Sequence, residues 1–309
     1  MKSLLYNIFI CMAISAISWA VTVLPRDPPI RLTGDGLDKR RPCWSSDGQH
    51  LAFARHESDG VHIWQYVWEP GAAGPPRRLV ADYDEPHFDA TFAPDGTRLL
   101  LTAVRFIGTQ GNLDILGVNA DGSGRKPVVA EEQGKLVHQE WPAWSPDGKR
   151  LAFTSTHQGN QEIYTAAADG SDVVRLTQHP GYDAHPCWAP DGQSIAFATD
   201  RWGTGLEIAR VRPDGTGLTR LTNSPGLDDY PAYSPDGSRL AFVSNRDGQL
   251  EVYVAAADGS HLVNLSRHPL ADTFPTWTPD GRSVTFVSER DGGSDLYTRR
   301  VEPEPIRGD

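Results

Sequence analysis

Short apolar runs, partly alternating with polar residues and bounded by turn residues, recur along the chain and predict strands throughout. The clearest copies read Pro-x-Trp-Ser-Pro-Asp-Gly or close to it, followed by an apolar run such as Leu-Ala-Phe. They lie at Pro142 to Phe153, Pro231 to Phe242 and Pro275 to Phe286, and weaker copies start at Pro42, Ala90 and Pro186. The turn aspartates Asp47, Asp95, Asp147, Asp191, Asp236 and Asp280 are spaced 48, 52, 44, 45 and 44 residues apart. A period near 44 with about four short strands per unit predicts a β-propeller blade. In the fifth repeat the strands are expected at 231–234, 239–244, 250–255 and 262–266, here called A to D. Pro235 suits the second position of the A–B turn, and Gly237 the left-handed position that closes it. One four-stranded sheet cannot bury both of its faces, so the units must pack side by side around an axis.

The two ends of the chain complete each other. Repeat six breaks off after its C strand, near Tyr297 to Val301. The missing strand stands at the start, where Ile30-Arg31-Leu32-Thr33 matches Arg175-Leu176-Thr177 and Arg220-Leu221-Thr222. Leu32 lies ten residues before Pro42, the spacing from Leu176 to Pro186 and from Leu221 to Pro231. The expected fold is therefore an all-β, six-bladed β-propeller of four-stranded antiparallel blades. The N-terminal strand completes the last blade and removes the open edge.

Composition adds less. The chain has 309 residues with a net charge of −11 and its charges interspersed, which argues against nucleic acid as a partner. Consecutive repeats fill one domain over 21–303 and leave a short tail, 304–309. Residues 1–20 read as a signal peptide, with Lys2, an apolar run from Leu4 to Ile17, and small Ser18 and Ala20 at the cleavage positions. The other reading is an uncleaved N-terminal anchor, the only route to a membrane; either one makes the repeats periplasmic or secreted. Cys43 and Cys187 fill the x of Pro-x-Trp in repeats one and four, opposed across the ring and too far apart for a disulfide. They are expected as buried structural thiols.

The series Pro-x-Trp-Ser-Pro-Asp-Gly, Leu-Ala-Phe, Glu-Ile-Tyr, Asp-Gly-Ser and Arg-Leu-Thr resembles the WD-type repeats of TolB-like propellers over residues 30–301. The resemblance implies an exported six-bladed propeller that docks other proteins in the cell envelope, as TolB does with a peptidoglycan-associated lipoprotein. It extends to the propeller part only, without the α/β domain that precedes the propeller in TolB. The same repeat also occurs in propellers of prolyl-peptidase relatives and of some sugar lyases.

Comparing the repeats with one another locates candidate functional positions. Three residues before the repeat proline stand Asp183, Asp228 and Asp272, and eighteen residues later Arg201, Arg246 and Arg290. They are expected to form structural ion pairs across the A–B hairpin, with Lys39 and Glu57 of repeat one as the same pair with charges exchanged. Repeats two and three depart from this, with His87 and Arg105 in one and Gln139 and His157 in the other. Repeat two also gains four residues in its B–C loop and four in its D–A loop. Both insertions and both departures fall on one face, because B–C and D–A loops share an end of the meander. Loops on a rigid scaffold are where binding residues gather. The candidate binding site is His87, Arg105, His138, Gln139, Glu140, Trp141 and His157. His185, Tyr230 and Phe274, each preceding its proline, add aromatic contact near the channel mouth.

No sequence-local catalytic or metal motif is present: no Gly-x-Ser-x-Gly, no His-Glu-x-x-His, no Cys-x-x-Cys and no Gly-rich phosphate loop. The expected function is a non-enzymatic scaffold without metal or cofactor, monomeric, binding a protein or peptide partner through the B–C/D–A loop face. The alternative is a metal-dependent lyase or hydrolase acting on a sugar acid or lactone, with His87, His138, His157 and Glu140 as candidate ligands.

Overall fold

The computed structural model describes residues 27–302, apart from 70–71, 74–75, 81–84, 108–109 and 130–136. The expected signal peptide and tail lie outside the described residues, as do the centres of the two enlarged loops of repeat two. The described chain is an all-β propeller built from four-stranded antiparallel meanders. Repeat three shows the unit plainly: A is Gln139–Trp144, B is Arg150–Ser155, C is Glu162–Ala167 and D is Val174–Arg175.

The A–B turn is held by its own side chains. In repeat five the Gly237 N–H donates to the Ser234 carbonyl at 2.8 Å. Asp236 Oδ1 accepts from the Ser234 hydroxyl at 2.6 Å and from the Ser238 N–H at 3.0 Å. Gly237 sits at φ +71°, where a Cβ would be strained. These hydrogen bonds hold the Asp236 carboxyl down at about 2.

The B strands are apolar on both faces because a neighbouring repeat covers each side. Leu240, Ala241 and Phe242 are all fully buried. One core cluster joins Ala196, Ala198 and Ile208 of repeat four to Leu240, Phe242 and Tyr253 of repeat five. Another joins Leu51 and Phe53 of repeat one to Val287 and Leu296 of repeat six. Across that last contact Ile30–Arg31 pairs antiparallel with Asp295–Arg300, Ile30 opposite Thr298 and Arg31 opposite Tyr297. Trp44 Nε1 donates to Thr285 Oγ1 at 3.0 Å across the same seam.

The expectation of six separate four-stranded sheets needs correction. Among the described residues, only three sheets stand alone with four strands, and repeat one carries an extra short strand, Ala72–Ala73. Repeats four and five are fused into one eight-stranded sheet. Strand A of repeat five starts early, at Gly226, and pairs in parallel with Gly205–Val211, strand C of repeat four. Glycine permits this approach: a Cβ on Gly205 would lie 1.7 Å from the Gly226 carbonyl oxygen.

Candidate functional site

Between neighbouring repeats lies a polar joint that starts on strand C. Glu162, fully buried, accepts from Thr177 Oγ1 at 2.6 Å, Arg175 Nη2 at 2.8 Å and the His179 N–H at 2.6 Å. Glu207 is bound in the same way by Thr222 at 2.8 Å, Arg220 at 2.7 Å and the Ser224 N–H at 3.0 Å. The Asp at the start of the next A strand follows. Asp183 accepts from Arg201 at 2.5 Å, Asp228 from Arg246 at 2.9 Å, and Asp272 from Arg290 at 3.0 Å. These carboxylates are fully buried, and burial pushes Asp183 and Asp272 up against the pull of their partners.

The exchanged pair in repeat one does not form. Directly opposite Asp183 and Asp228 stand the small residues Thr199 and Ser244, so the arginine two residues further on folds back across them. Directly opposite Lys39 stands Arg55 instead. Arg55 holds Glu57 at 2.5 Å, and Trp64 Nε1 donates to the same carboxylate at 3.1 Å. Lys39, fully buried, turns to Asp295 of the last repeat at 2.8 Å and to Asp35. Asp295 also accepts from Thr33 at 2.6 Å and Arg31 at 2.5 Å, so the seam between first and last repeats has its own ionic joint.

At repeats two and three the polar joints are left incomplete. His87 is fully buried opposite Ala103, and neither ring nitrogen has a partner among the described residues. Burial lowers its pKa to about 4, helped by Arg125. Arg105 pairs with Asp114 rather than His87. Gln139 lies opposite Ser155, its Oε1 buried without a partner, and so are His138 Nδ1 and Asn112 Oδ1. His138 is nonetheless fixed: its backbone N–H donates to Thr156 Oγ1 at 2.9 Å, and its carbonyl accepts from the Thr156 N–H at 3.0 Å. This ties the D–A loop to the B–C loop that carries His157, whose ring stands edge-on to Tyr164 at 6.2 Å. Glu140, nearly buried, accepts from Gln161 Nε2 at 2.7 Å, and burial raises its carboxyl to about 7.

The four groups of the metal alternative do not converge. Among the described residues, three ligand atoms come within 4.8 Å of one another only at Glu57, Asp59 and His62. Arg55 and Arg78 flank that group on Glu57 and Asp59.

Trp141 belongs to a second arrangement, on the axis. The residues just before the repeat proline, or before Ala90 in its place, are Arg41, Asp89, Trp141, His185, Tyr230 and Phe274. Each has φ between 51° and 54°, a strained region for non-glycine residues, beside a register shift in its A strand. That bend brings them together. Arg41 Nε contacts Asp89 Oδ1 at 2.8 Å, and its guanidinium lies 5.4 to 5.9 Å from the ring centres of Trp141, Tyr230 and Phe274. His185 is sandwiched between Trp141 at 4.0 Å and Tyr230 at 4.1 Å, with Nδ1 2.5 Å from Asp229. Burial lowers the His185 pKa against the pull of Asp229, and pushes Tyr230 up to about 12. A cavity of about 140 Å³ opens beside this ring and reaches Cys43, Thr91 and Thr276, two residues further along their strands. Sequence comparison singled out the aromatic members but not Arg41 or Asp89, because a charged pair on the axis has no counterpart in the other repeats. The two cysteines are free, and burial raises the Cys187 thiol to about 11.

The profile of the TolB beta propeller domain matches residues 74–224 and 215–307. The chain belongs to this TolB β-propeller family. One curated relative is the Tol-Pal system protein TolB of Thioalkalivibrio sulfidiphilus, 33% identical over 88 residues, which are 28% of this chain and 19% of that protein. Another is dipeptidyl-peptidase 5 of Porphyromonas gingivalis, 35% identical over 78 residues, 24% of this chain and 11% of that one. The matches thus span less than a fifth of either relative. Among solved structures, putative TolB from Agrobacterium tumefaciens superposes with a TM-score of 0.64 at 23% identity, covering 86% of this chain and 91% of that one. An oligogalacturonate lyase from Vibrio parahaemolyticus gives 0.59 at 16% identity, covering 89% and 93%. At these identities the structural likeness concerns the fold.

Proposed function

We propose that this TolB-family chain is an exported, non-enzymatic scaffold whose repeats form six blades closed by the N-terminal strand. It docks a protein or peptide partner in the cell envelope through the B–C/D–A loop face. Residues 1–20 serve as its export signal and 21–303 as its single domain, acting as a monomer in the periplasm. The docking site is centred on His87, Arg105, His138, Gln139, Glu140, Trp141 and His157. One observation carries this reading. At this position in repeats four to six, buried carboxylates are bound by arginines, whereas His87 and Gln139 there, and His138 beside it, keep buried polar atoms without partners. A buried polar group without a partner costs about 1–3 kcal/mol, and a partner's hydrogen bonds at this rim would recover part of it. Family membership supports the docking role and the compartment.

The test places a photo-crosslinking residue at position 138 or 157, and as a control at Lys149 in the A–B turn on the opposite face. Cells expressing the full chain should give one adduct from the loop-face positions and none from Lys149. Equal labelling from both faces, or no adduct from either loop position, would overturn the docking face.

A further inference from the structure

The axial cavity combines three features that no contact between repeats requires. Its first is unmet hydrogen bonding of complementary kind. Asp229 Oδ1 already accepts the Tyr230 N–H at 2.7 Å, so it acts as an acceptor, and His185 donates Nδ1–H to it. In the neutral ring this leaves Nε2 as an acceptor, and it has no donor among the described residues although His185 is only 5% exposed. Arg41 is the converse: Nε is engaged by Asp89, while Nη1 is buried and has no acceptor.

The second feature is the walls. Tyr230 and Phe274 line the cavity, and Trp141 stands edge-on to His185; all three rings lie near the Arg41 guanidinium and are only half-buried. Flat aromatic faces of this kind take C–H surfaces as well as cations.

The third is charge. Asp89 and Asp229 already outnumber Arg41, and Glu140 adds a further carboxyl that burial and the neighbouring Asp89 hold partly protonated near neutrality. An anionic ligand would meet net negative charge, and the place of a cation is taken by Arg41. What fits is a neutral ring carrying adjacent hydroxyls. One hydroxyl oxygen accepts from Arg41 Nη1, the other hydroxyl donates to His185 Nε2, and a C–H face lies on the aromatic walls.

We propose that the axial cavity is a binding site for one neutral sugar ring. Trp141 and Glu140 stand next to both sites, but the sugar proposal rests on Arg41, His185 and the cavity they line, none of which the docking reading uses.

The purified full chain is titrated with methyl glycosides of glucose, galactose and N-acetylglucosamine, followed by calorimetry and tryptophan fluorescence. At least one neutral sugar should bind saturably, with a dissociation constant on the order of 1 mM. The matching uronic acids should bind at least tenfold more weakly. Arg41→Met and Phe274→Leu should each weaken the sugar at least tenfold. Because either change can disturb folding, the unaltered protein provides a second readout: the His185 Nε2 nitrogen resonance should shift on saturation. A short oligosaccharide binding tenfold tighter than its monomer would mark the end of a glycan chain as the source, and equal affinity a free sugar. No saturation by any neutral sugar up to about 100 mM, or tighter binding of the uronic acids, overturns the proposal.

Discussion

Replacing His87 with leucine tests the incomplete joint directly. His87 is fully buried, both ring nitrogens lack partners among the described residues, and its pKa is lowered from the usual 6.5 to about 4. Burial is the main cause; Arg125, His62 and Arg78 act in the same direction, and Glu85 opposes them. The folded protein therefore keeps the ring neutral at acidities where the unfolded chain takes up a proton. The stability that depends on a neutral His87 is complete above pH 6.5 and is lost as pH falls towards 4. Each pH unit across that window costs about 1.4 kcal/mol, giving about 2 kcal/mol at pH 5 and about 3 kcal/mol at pH 4. Leucine removes both the titration and the unpaired nitrogens. His87→Leu should thus be as stable as the parent or more so at pH 7.5, and should lose less stability on acidification. Urea denaturation followed by tryptophan fluorescence, at half-unit steps from pH 7.5 to 4, gives the difference between the two curves. They should run parallel above pH 6.5 and separate below it. Equal slopes down to pH 4 would refute the argument and place the proton elsewhere.

Glu140 gives the opposite sign: its carboxyl, raised from the usual 4.5 to about 7, is protonated in the fold where the unfolded chain ionises. Stability should fall by about 3 kcal/mol as pH rises from 4.5 through 7, and urea midpoints of Glu140→Gln should lack this fall. At the seam, Lys39→Met leaves Asp295 still paired with Arg31 and Asp295→Asn leaves Lys39 still paired with Asp35, so each should cost about 1–3 kcal/mol, while the double variant should cost less than the sum of the singles by equilibrium unfolding. Gly226→Ala places a Cβ 2.3 Å from Asn245 Oδ1 at φ +122°, so it should destabilise by about 2 kcal/mol or more, as a drop in melting temperature checks.

The propeller and its meander were legible because the turn chemistry repeats at a fixed spacing and each turn is self-contained. Asp236 binds its own neighbours Ser234 and Ser238, so its structure follows from local sequence alone. The strand at Ile30 was legible for a related reason, since Thr33 contacts the strand C carboxylate of its repeat as Thr177 and Thr222 do. The Lys39–Glu57 pair was misread because spacing gives separation along a hairpin but not which competitor lies closer. Arg55 and, from the far end of the chain, Asp295 win that competition. The fusion of repeats four and five was missed because Gly205 and Gly226 look like ordinary loop glycines until the two backbones meet. Of the candidate site, the departure of repeats two and three from the ionic joint was visible. The burial of His87 and Gln139 was not, because polar residues at loop ends read as solvated.

The axis and the joints between repeats divide the work differently. At the joints, repeats three to six keep one chemistry, a strand C carboxylate bound by a hydroxyl that follows strand D, and at the start of repeats four to six an Asp–Arg pair completes it. That uniformity is what packing repeats against one another demands, and it leaves little room for a ligand. On the axis the backbone is uniform, every pre-proline residue lying within a few degrees of the same φ, yet the side chains run Arg, Asp, Trp, His, Tyr and Phe. Holding non-glycine residues at positive φ costs on the order of 1 kcal/mol or more each, so the strain is common to all repeats while the chemistry is not. The axial positions thus repeat their backbone while varying their chemistry. The joint at repeats two and three departs from the shared chemistry too, but by loss of partners rather than by gain of new ones. On the two proposals the regions take different partners: the rim a surface that brings hydrogen bonds to groups lacking them, and the axis a small molecule matched to one donor, one acceptor and the aromatic faces of Tyr230 and Phe274.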